Sequence, residues 1–453
     1  MNGSLSIMKE AQAGQETAAP GERYVGKEKS MSVGFTCQAV VKDKRFVKQM
    51  IRMLGEEKRY EVRQEEDYMR VGFCRLGDLF FQFGSGLDGE IPTQMVYGEC
   101  TSSLAGAGFH AAAVRFVEEL ARETEMEIIL SDETGYGDDH DFDRMREEHF
   151  YGWLKNLVSV CREREEQWPE AVSFGLCWDL DQYTPEEVPG TVFTPFGRFS
   201  IQKIVGWVEQ EGIEPFAKEF FIWNEPGRDA GYYRNTALSL MWEECYFMPG
   251  SRSGRDRRIN DRIIDDLERS LLLDRSLPFP AEEYITLCRL NEREPESVAD
   301  VPVYEADYPI GYRRRNVREK IGSMTFVIPG SYLYEYDEDG NSHSWYDDLE
   351  EGWHAVRITA LKSREESPEI TERIFSGAAG EPVDGENGCL KYRFAFAGTV
   401  EPETEEAYSQ YVGEVAGGYQ IALITASCEH REDEWAEAFF RSVAHSPEAK
   451  LEK

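Results

Sequence analysis

Apolar residues along this chain recur with two different periods, and the changes between them mark out its regions. From Gly34 to Phe83 the pattern predicts strand, helix, strand, strand. Phe35–Val41 alternates as a strand, and Phe46, Val47, Met50, Ile51 and Leu54 then share one helical face. Arg70–Cys74 and Asp78–Phe83 form a hairpin around Leu76-Gly77. A glycine-punctuated stretch leads to a helix carrying Phe109, Ala113, Phe116, Val117 and Leu120, then a short strand at Glu127–Leu130. Phe142, Met145, His149, Trp153, Leu157 and Val160 are spaced by three and four residues, which predicts one continuous helix. Strand signals return at Ala171–Trp178 and Phe220–Trp223, with Ile201, Ile204, Val205 and Val208 on a helix between them. Strands and helices do not alternate as βαβ units, so the class is α+β.

Residues Tyr232–Leu290 are helical in pattern throughout. Tyr233, Ala237, Leu240, Met241 and Glu244 trace one helix, and Ile259, Ile263, Leu267 and Leu271 trace a second. The polar, basic Gly250–Arg258 loop joins them, and Ala281–Leu290 starts a third helix after Pro278 and Pro280. Asn291–Ala299 is charged and poor in apolar residues, which marks a linker. From Ile321 onward the pattern is again of strands: Met324–Ile328 ending at Pro329-Gly330, Tyr332–Tyr336, Ala355–Leu361, Leu390–Phe396 and Tyr419–Ser427. A final helix places Trp435, Ala438, Phe439, Ser442 and Val443 on one face. The expected organisation is a disordered tail (1–30), an α+β domain (31–230), a helical segment packed on it (231–290), a linker (291–320) and a C-terminal antiparallel sheet sandwich with packed helices (321–446).

The C-terminal pattern resembles the PsbP/Mog1-like α/β/α sandwich. The matching features are a strand ending in Pro-Gly with an aromatic two residues on (Phe326–Tyr332), then Arg357–Leu361, Tyr392–Gly398 and Tyr419–Ser427. The closing helix ends near Phe440-Arg441-Ser442-Val443. The resemblance covers about 120 residues and rests on generic strand and helix patterns. It implies an adaptor, chaperone or extrinsic subunit, and carries no site residue with it. The remainder of the chain resembles bacterial proteins of unassigned function.

Composition narrows the function classes. The chain has 453 residues, enough for about two or three domains with sizeable cores. Asp and Glu number 86 against 50 Lys and Arg, a formal net charge of −36. Such a field repels phosphate backbones and anionic lipid, which disfavours nucleic acid and membrane surfaces as partners. No run approaches the 18 or so apolar residues that a membrane-spanning helix needs. Met1–Ser30 lacks the apolar core of a signal peptide and reads as a disordered tail, or as sequence upstream of a start at Met8 or Met31. Nine cysteines without short Cys-Cys spacings read as reduced core thiols, and the location expected is cytoplasmic.

Candidate chemistry is sparse. Trp223-Asn224-Glu225-Pro226 resembles the strand-end motif of the large TIM-barrel glycoside hydrolase clan, which implies that Asn224 orients a sugar and Glu225 protonates the leaving oxygen. That chemistry needs a second carboxylate and an eight-stranded barrel. Between Glu225 and Ile321 only Val301–Glu305 reads as a strand, so the bland reading is a strand leading to a helix cap. Gly84–Gly89 matches the G-x-G-x-x-G dinucleotide fingerprint, but Glu90-Ile91-Pro92 follows where a helix should begin, so a glycine-rich loop is favoured. Asp138–Asp143, with His149 beyond it, offers carboxylates to a cation but lacks calcium-loop spacing, and Asp141 is better placed as a helix cap. Asp337–Asn341 reads as a hairpin turn. Cys100 and His110, helped by Glu99, are a candidate thiol–imidazole pair, against a buried cysteine and a helix-start histidine. Tyr312–Arg315 is the strongest basic run and is expected as a solvated turn or a contact with acidic surface.

These observations favour a soluble, intracellular, non-catalytic binding protein without cofactor or metal: an adaptor, chaperone or toxin-immunity-type protein. Its expected partner is a protein with a basic surface. The rival reading is a glycoside hydrolase acting through Glu225.

Overall fold

In a computed structural model, which describes residues 32–445 apart from 89–90, 168–173, 176–187, 246–253, 338–340, 348, 350, 372 and 402–405, the first alternating run becomes β1 (Gly34–Val40). Helix α1 (Lys44–Glu57) starts at Asp43, whose carboxylate accepts from the Arg45 and Phe46 amides at 2.9 and 3.2 Å. Then come β2 (Glu61–Gln64), β3 (Tyr68–Cys74), β4 (Gly77–Asp88), β5 (Ile91–Thr101), helix α2 (Ala107–Thr124) and β6 (Ile129–Asp132). The strands form one antiparallel sheet of six in the order β2-β3-β4-β5-β1-β6. One face, with Phe35, Cys37, Met69, Val71, Phe81 and Phe83, is buried with Val47, Ile51 and Leu54 of α1 and Phe109, Phe116 and Leu120 of α2 in a common core. The strand period of two sends the intervening residues to the opposite side.

Next in the chain are α3 (Tyr136–Asp139), α4 (Phe142–Met145), a π-helical turn (Arg146–Tyr151) and α5 (Gly152–Gln167). The continuous helix expected over 142–160 is thus interrupted. The wider turn rotates the residues after it, so Phe150, Tyr151, Leu154, Val158 and Cys161 are buried while His149, Trp153, Leu157 and Val160 lie at the flanks. Short strands β7 (Phe174–Gly175), β8 (Thr191–Thr194) and β9 (Gly197–Ser200) precede α6 (Ile201–Gln210), α7 (Ile213–Lys218), α8 (Ala230–Glu243), α9 (Gly254–Leu273) and α10 (Ala281–Leu290). Most of the strand expected at Ala171–Trp178, and the Met1–Ser30 tail, lie outside the described residues.

Phe220–Trp223 is buried, but it is not a strand. Its main chain is satisfied by other means. The Trp223 amide donates to Ala105 O at 2.8 Å, and Gly108 N donates to Trp223 O at 2.9 Å. Asn235 Nδ2 donates to the carbonyls of Phe221 and Lys218 at 2.8 and 2.9 Å. Beside it Arg234, only 1% exposed, bonds Glu219 at 2.8 Å and reaches the Lys218 and Pro278 carbonyls. Val301–Glu305 contributes one parallel bridge, between Val303 and Phe279, and no strand.

The described residues divide into two compact units, the first ending at Gly311 and the second starting at Tyr312, inside the 291–320 segment expected as a linker. The early part of that segment is anchored in the first unit. Asn291 bonds Asp261 and the Arg257 carbonyl at 2.9 and 2.8 Å, and Arg293 pairs with Asp265 and Glu268 at 2.7 and 2.8 Å.

In the second unit, β10 (Asn316–Ile321), β11 (Met324–Pro329) and, at the end of the described chain, β19 (Ala444–His445) make a small antiparallel sheet. Strands β12 (Leu333–Asp337), β13 (Ser342–Tyr346), β14 (His354–Lys362), β15 (Val383–Asn387), β16 (Leu390–Val400), β17 (Tyr408–Gly417) and β18 (Gln420–Cys428) form an antiparallel sheet of seven, ordered β12-β13-β14-β18-β17-β16-β15. Helix α11 (Asp433–Ser442) packs through Phe440, whose ring stacks on Phe394 at 4.7 Å in the space left by Gly413. Strand β17 is absent from the sequence pattern because it carries Glu414, an ionisable residue rarely found fully buried unless partnered. Its carboxylate is buried and accepts from the Thr371 amide and hydroxyl at 3.1 and 2.7 Å. With helices in both units and these antiparallel sheets, the class is α+β.

Removing one member of a buried ion pair leaves the other charge uncompensated. Arg234→Ala is therefore expected to destabilise the first unit by about 3–5 kcal/mol. Hydrogen exchange should place the loss of protection in residues 218–235, and unchanged protection there would overturn the role given to Arg234.

Candidate functional site

The Trp223–Arg228 loop links the buried coil to Asp229, which caps α8 by accepting from Tyr232 N at 2.8 Å. The loop lies between two hollows of the first unit. Asn224 and Glu225 line a small cleft of about 180 Å³ together with Lys218, Asp229, Arg234 and Asp274. Trp223 and Arg228 line an open one of about 500 Å³ with Lys58, Tyr60, Arg115 and Glu119.

The π turn brings two partners to the first cleft. Arg146, its first residue, pairs with Glu225 at 2.7 Å, and the hydroxyl of Tyr151, its last, accepts from Asn224 Nδ2 at 3.1 Å. Asn224 Nδ2 also donates to Glu225 Oε1 at 3.0 Å, and Asn224 Oδ1, buried, has no partner among the described residues. The other carboxylates of the cleft are already engaged. Asp229 caps α8, and Asp274 accepts from the Ser276 amide and hydroxyl at 2.8 and 2.7 Å. No eight-stranded parallel barrel surrounds Glu225 among the described residues, where every paired strand is antiparallel except β7 with β8.

His110 and Cys100 are not brought together as a reactive pair. His110 Nδ1 bonds the Ser102 hydroxyl at 2.8 Å, and Nε2 faces Asp132 at 3.2 Å and the Thr134 hydroxyl at 3.3 Å. Serine, histidine and aspartate here have the order of a hydrolytic triad, yet Ser102 and His110 have no exposed surface. The arrangement is a buried polar knot tying the ends of β5 and β6 to α2. Burial pushes the Asp132 carboxyl up, but His110 and the Gly137 and Thr134 amides outweigh it and hold the group well below the usual carboxylate range. Burial pushes the Cys100 thiol well above its ordinary value, which is the wrong direction for a nucleophile.

The remaining motifs take structural positions. Gly84–Asp88 is the end of β4, and β5 follows at Ile91 where a phosphate-binding loop would open a helix. Asp141 caps α4 by accepting from Arg144 N at 3.1 Å, Asp139 pairs with Arg144, and Asp143 pairs with Arg146 at 3.0 Å. Among the described residues no group of three or more His, Cys, Asp or Glu is placed to hold a metal ion. Asp337 ends β12 and pairs with Arg357 at 2.8 Å. Arg313, in the basic run, bonds Glu319 at 3.0 Å and the Gly330 carbonyl at 3.3 Å. None of the eight described cysteines is disulfide-bonded, and no described helix is long and apolar enough to cross a membrane.

Sequence reasoning missed the outer face of the six-stranded sheet. The strand registers set two ranks of side chains across it. One rank reads Tyr68, Gln82, Tyr97, Gln38, Ile129, and the next reads Arg70, Phe80, Glu99, Thr36, Ser131. All of them except Arg70 line a hollow of about 410 Å³, with Tyr68 stacked near Phe80 at 5.7 Å between centroids. Tyr97 and Ile129 are 42% and 61% exposed, so no helix covers them among the described residues. The alternation of polar with apolar residues was the available signal; the rows appear only once the register is known.

No protein-family model matches the chain, and no curated protein matches it in sequence. A crystal structure from Bacteroides thetaiotaomicron, at 14% identity, aligns over 28% of this chain and 46% of its own length with a TM-score of 0.23. The chain thus spans less than half of that protein, and so slight a likeness carries no argument.

Two titrations are expected from this geometry. Asp266 on α9 is pushed up to about 6, chiefly by burial, with Asp265 adding to it and Arg262 and Arg228 opposing. A carboxyl raised in the folded state adds stability below its unfolded pKa of about 3.9 and loses it as pH climbs through about 6. Asp266→Asn should therefore raise the melting temperature at pH 7–8 and flatten its pH dependence between pH 4 and 6; an unchanged profile refutes the assignment. Asp132 behaves in the opposite sense. Its contribution is complete above about pH 3.9 and disappears as acid protonates it. Asp132→Asn should cost stability at pH 7 and lose that cost at the acid end.

Proposed function

We propose that this chain is a non-catalytic, intracellular binding protein that engages a protein partner with a basic surface through the outer face of its six-stranded sheet. The observation that carries the reading is the pairing of that face's chemistry with the chain's charge. Tyr68, Phe80 and Tyr97 offer aromatic rings at the centre, and Glu99 is exposed beside them with no ion pair among the described residues. Arginine and lysine stems pack on such rings while their charged ends find carboxylate. A formal charge of −36 draws a basic partner in and rejects acidic competitors. Aromatic centres within a polar rim are also where binding energy concentrates in protein interfaces.

The second unit fits an adaptor-like role. Its closing helix and its seven-stranded antiparallel sheet support the resemblance to PsbP/Mog1-like sandwiches, whose members act by binding. Gly330, after the strand-ending Pro329, supports it too: a side chain there would meet the Arg313 and Arg315 main chain. A cytoplasmic place, and a role as adaptor, chaperone or toxin-immunity-type protein, are part of the proposal. Glycoside hydrolysis is the less supported reading, since Glu225 is tied to Arg146, Asp229 caps α8 and Asp274 accepts from Ser276.

The test is capture with the full chain as bait, against a Tyr97→Ala/Glu99→Lys variant whose altered residues are exposed and leave the core intact. The expected result is a basic protein held by the wild type and lost with the variant, at unchanged melting temperature. Its association rate should fall as salt rises, because screening shortens the field to about 8 Å at physiological ionic strength. A salt-independent rate would leave the acidity without a role in recognition. Hydrolysis of a glycan that disappears in Glu225→Gln would replace the proposal with the enzymatic reading.

A further inference from the structure

The open cleft on the other side of the Trp223–Arg228 loop has the opposite electrostatic character from the chain as a whole. Its charged lining is Lys58, Arg115 and Arg228 against one carboxylate, Glu119, a local excess of two positive charges in a chain of net charge −36. Lys58 and Glu119 pair with each other at 2.6 Å, and neither arginine makes an ion pair among the described residues.

Both arginines are held in place by neutral groups. Arg228 lies over the rings of Tyr60, Trp223 and Tyr232 at 5.2–5.3 Å and donates to the Phe73 carbonyl at 3.2 Å. Arg115 donates to the carbonyls of Ala111 and Pro226 at 3.2 and 3.5 Å. Each guanidinium carries five N–H donors, so both keep donors to spare. Burial raises the Tyr60 hydroxyl, and the opposing influences are Arg228, Lys58 and Arg115 in that order, so all three cations lie within electrostatic reach of one point on the cleft wall. Asp266 lies within the field of Arg228 but does not pair with it, and one of its oxygens has no hydrogen-bond partner among the described residues.

We propose that this cleft is a binding site for a small phosphate-bearing molecule. Planar guanidinium forks match phosphoryl oxygens with paired hydrogen bonds. A phosphoryl group carries about −1.5 to −2 charges near neutral pH, which balances the local excess of two; a single carboxylate would balance half of it. The volume of about 500 Å³ falls within the usual range for small-molecule pockets and leaves room for more than the phosphate itself. The aromatic faces are occupied by Arg228, so they position the cation and do not stack on the ligand. The site is separate from the outer sheet face and does not depend on the role given to that face.

Calorimetric titration of the full chain with inorganic pyrophosphate, at ionic strength held constant with sodium chloride, tests the proposal. The expected result is saturable binding at one site, and none with acetate at the same concentrations. Arg115→Gln, an exposed change, and Arg228→Lys, which keeps the charge but loses the fork, should each weaken binding about tenfold; Glu119→Gln should tighten it. Tyr97→Ala, on the sheet face, should leave it unchanged. Absence of saturable heat, or pyrophosphate binding undiminished in Arg115→Gln, overturns the proposal, and equal binding of acetate overturns its phosphate specificity.

Discussion

A buried apolar segment without a neighbouring strand has to find other partners for its amides and carbonyls, because an unpaired main-chain polar group in the interior costs about 1–3 kcal/mol. In the first unit that constraint falls on Phe220–Trp223, and Asn235 of α8 meets it at the Phe221 carbonyl with its side chain, while Arg234 and Asn235 hold the Lys218 carbonyl just before it. The Ala217 carbonyl accepts from the Phe220 and Phe221 amides, and Ala105 and Gly108, around the start of α2, engage the Trp223 amide and carbonyl. Gly106 and Gly108 are obligatory there: a Cβ on either would collide with Trp223 or its neighbours, and Gly106 has φ of +106°. Because the coil is fixed on both sides, the adjoining Trp223–Arg228 loop is fixed as well, and so are the two clefts it separates.

The loop also explains why the π turn is where it is. An α-helical register from Phe142 onward would send His149 and Trp153 inward. The extra residue in Arg146–Tyr151 instead buries Phe150 and Tyr151, and it sets Arg146 against Glu225 and Tyr151 against Asn224. Such turns cost hydrogen-bond geometry and are found where a side chain must be aimed. Here the aim is at Asn224 and Glu225, which makes the tetrapeptide a point of attachment between distant parts of the unit.

How much of this is legible in the sequence depends on how local each signal is. The β3–β4 hairpin around Leu76-Gly77 and the helices α8 to α10 are readable because period and turn chemistry lie within a dozen residues. Phe220–Trp223 reads wrongly as a strand because a short apolar run looks alike in strand and buried coil, and the deciding partners, Asn235, Ala105 and Gly108, lie far from it in sequence. The π turn and the Glu414 strand β17 are hidden for the same reason, since the compensating contacts are non-local. The tetrapeptide is visible, but the ion pair that occupies Glu225 is not. The cations of the open cleft come from positions 58, 115 and 228, so no window of sequence contains two of them. The one visible basic run, Tyr312–Arg315, spends Arg313 on Glu319 and a carbonyl.

A chain this acidic would be expected to exclude anions from its whole surface, but range decides the matter. At physiological salt the collective field of surface carboxylates decays over about 8 Å, whereas a guanidinium in direct contact with an oxyanion acts through short, poorly screened hydrogen bonds. The global charge therefore governs how fast molecules arrive, and the local charge governs which of them stay. A basic partner of the kind proposed would gain on both counts at the sheet face, where Glu99 has the same sign as the chain. An anion gains nothing on approach to the open cleft, so its binding has to rest on pre-placed donors. The three rings around Arg228 and the carbonyls holding Arg115 provide that placement without neutralising either charge. In a protein with 86 carboxylate side chains, two arginines that form no ion pair among the described residues are a selective arrangement, since a nearby Asp or Glu would have been the simpler partner.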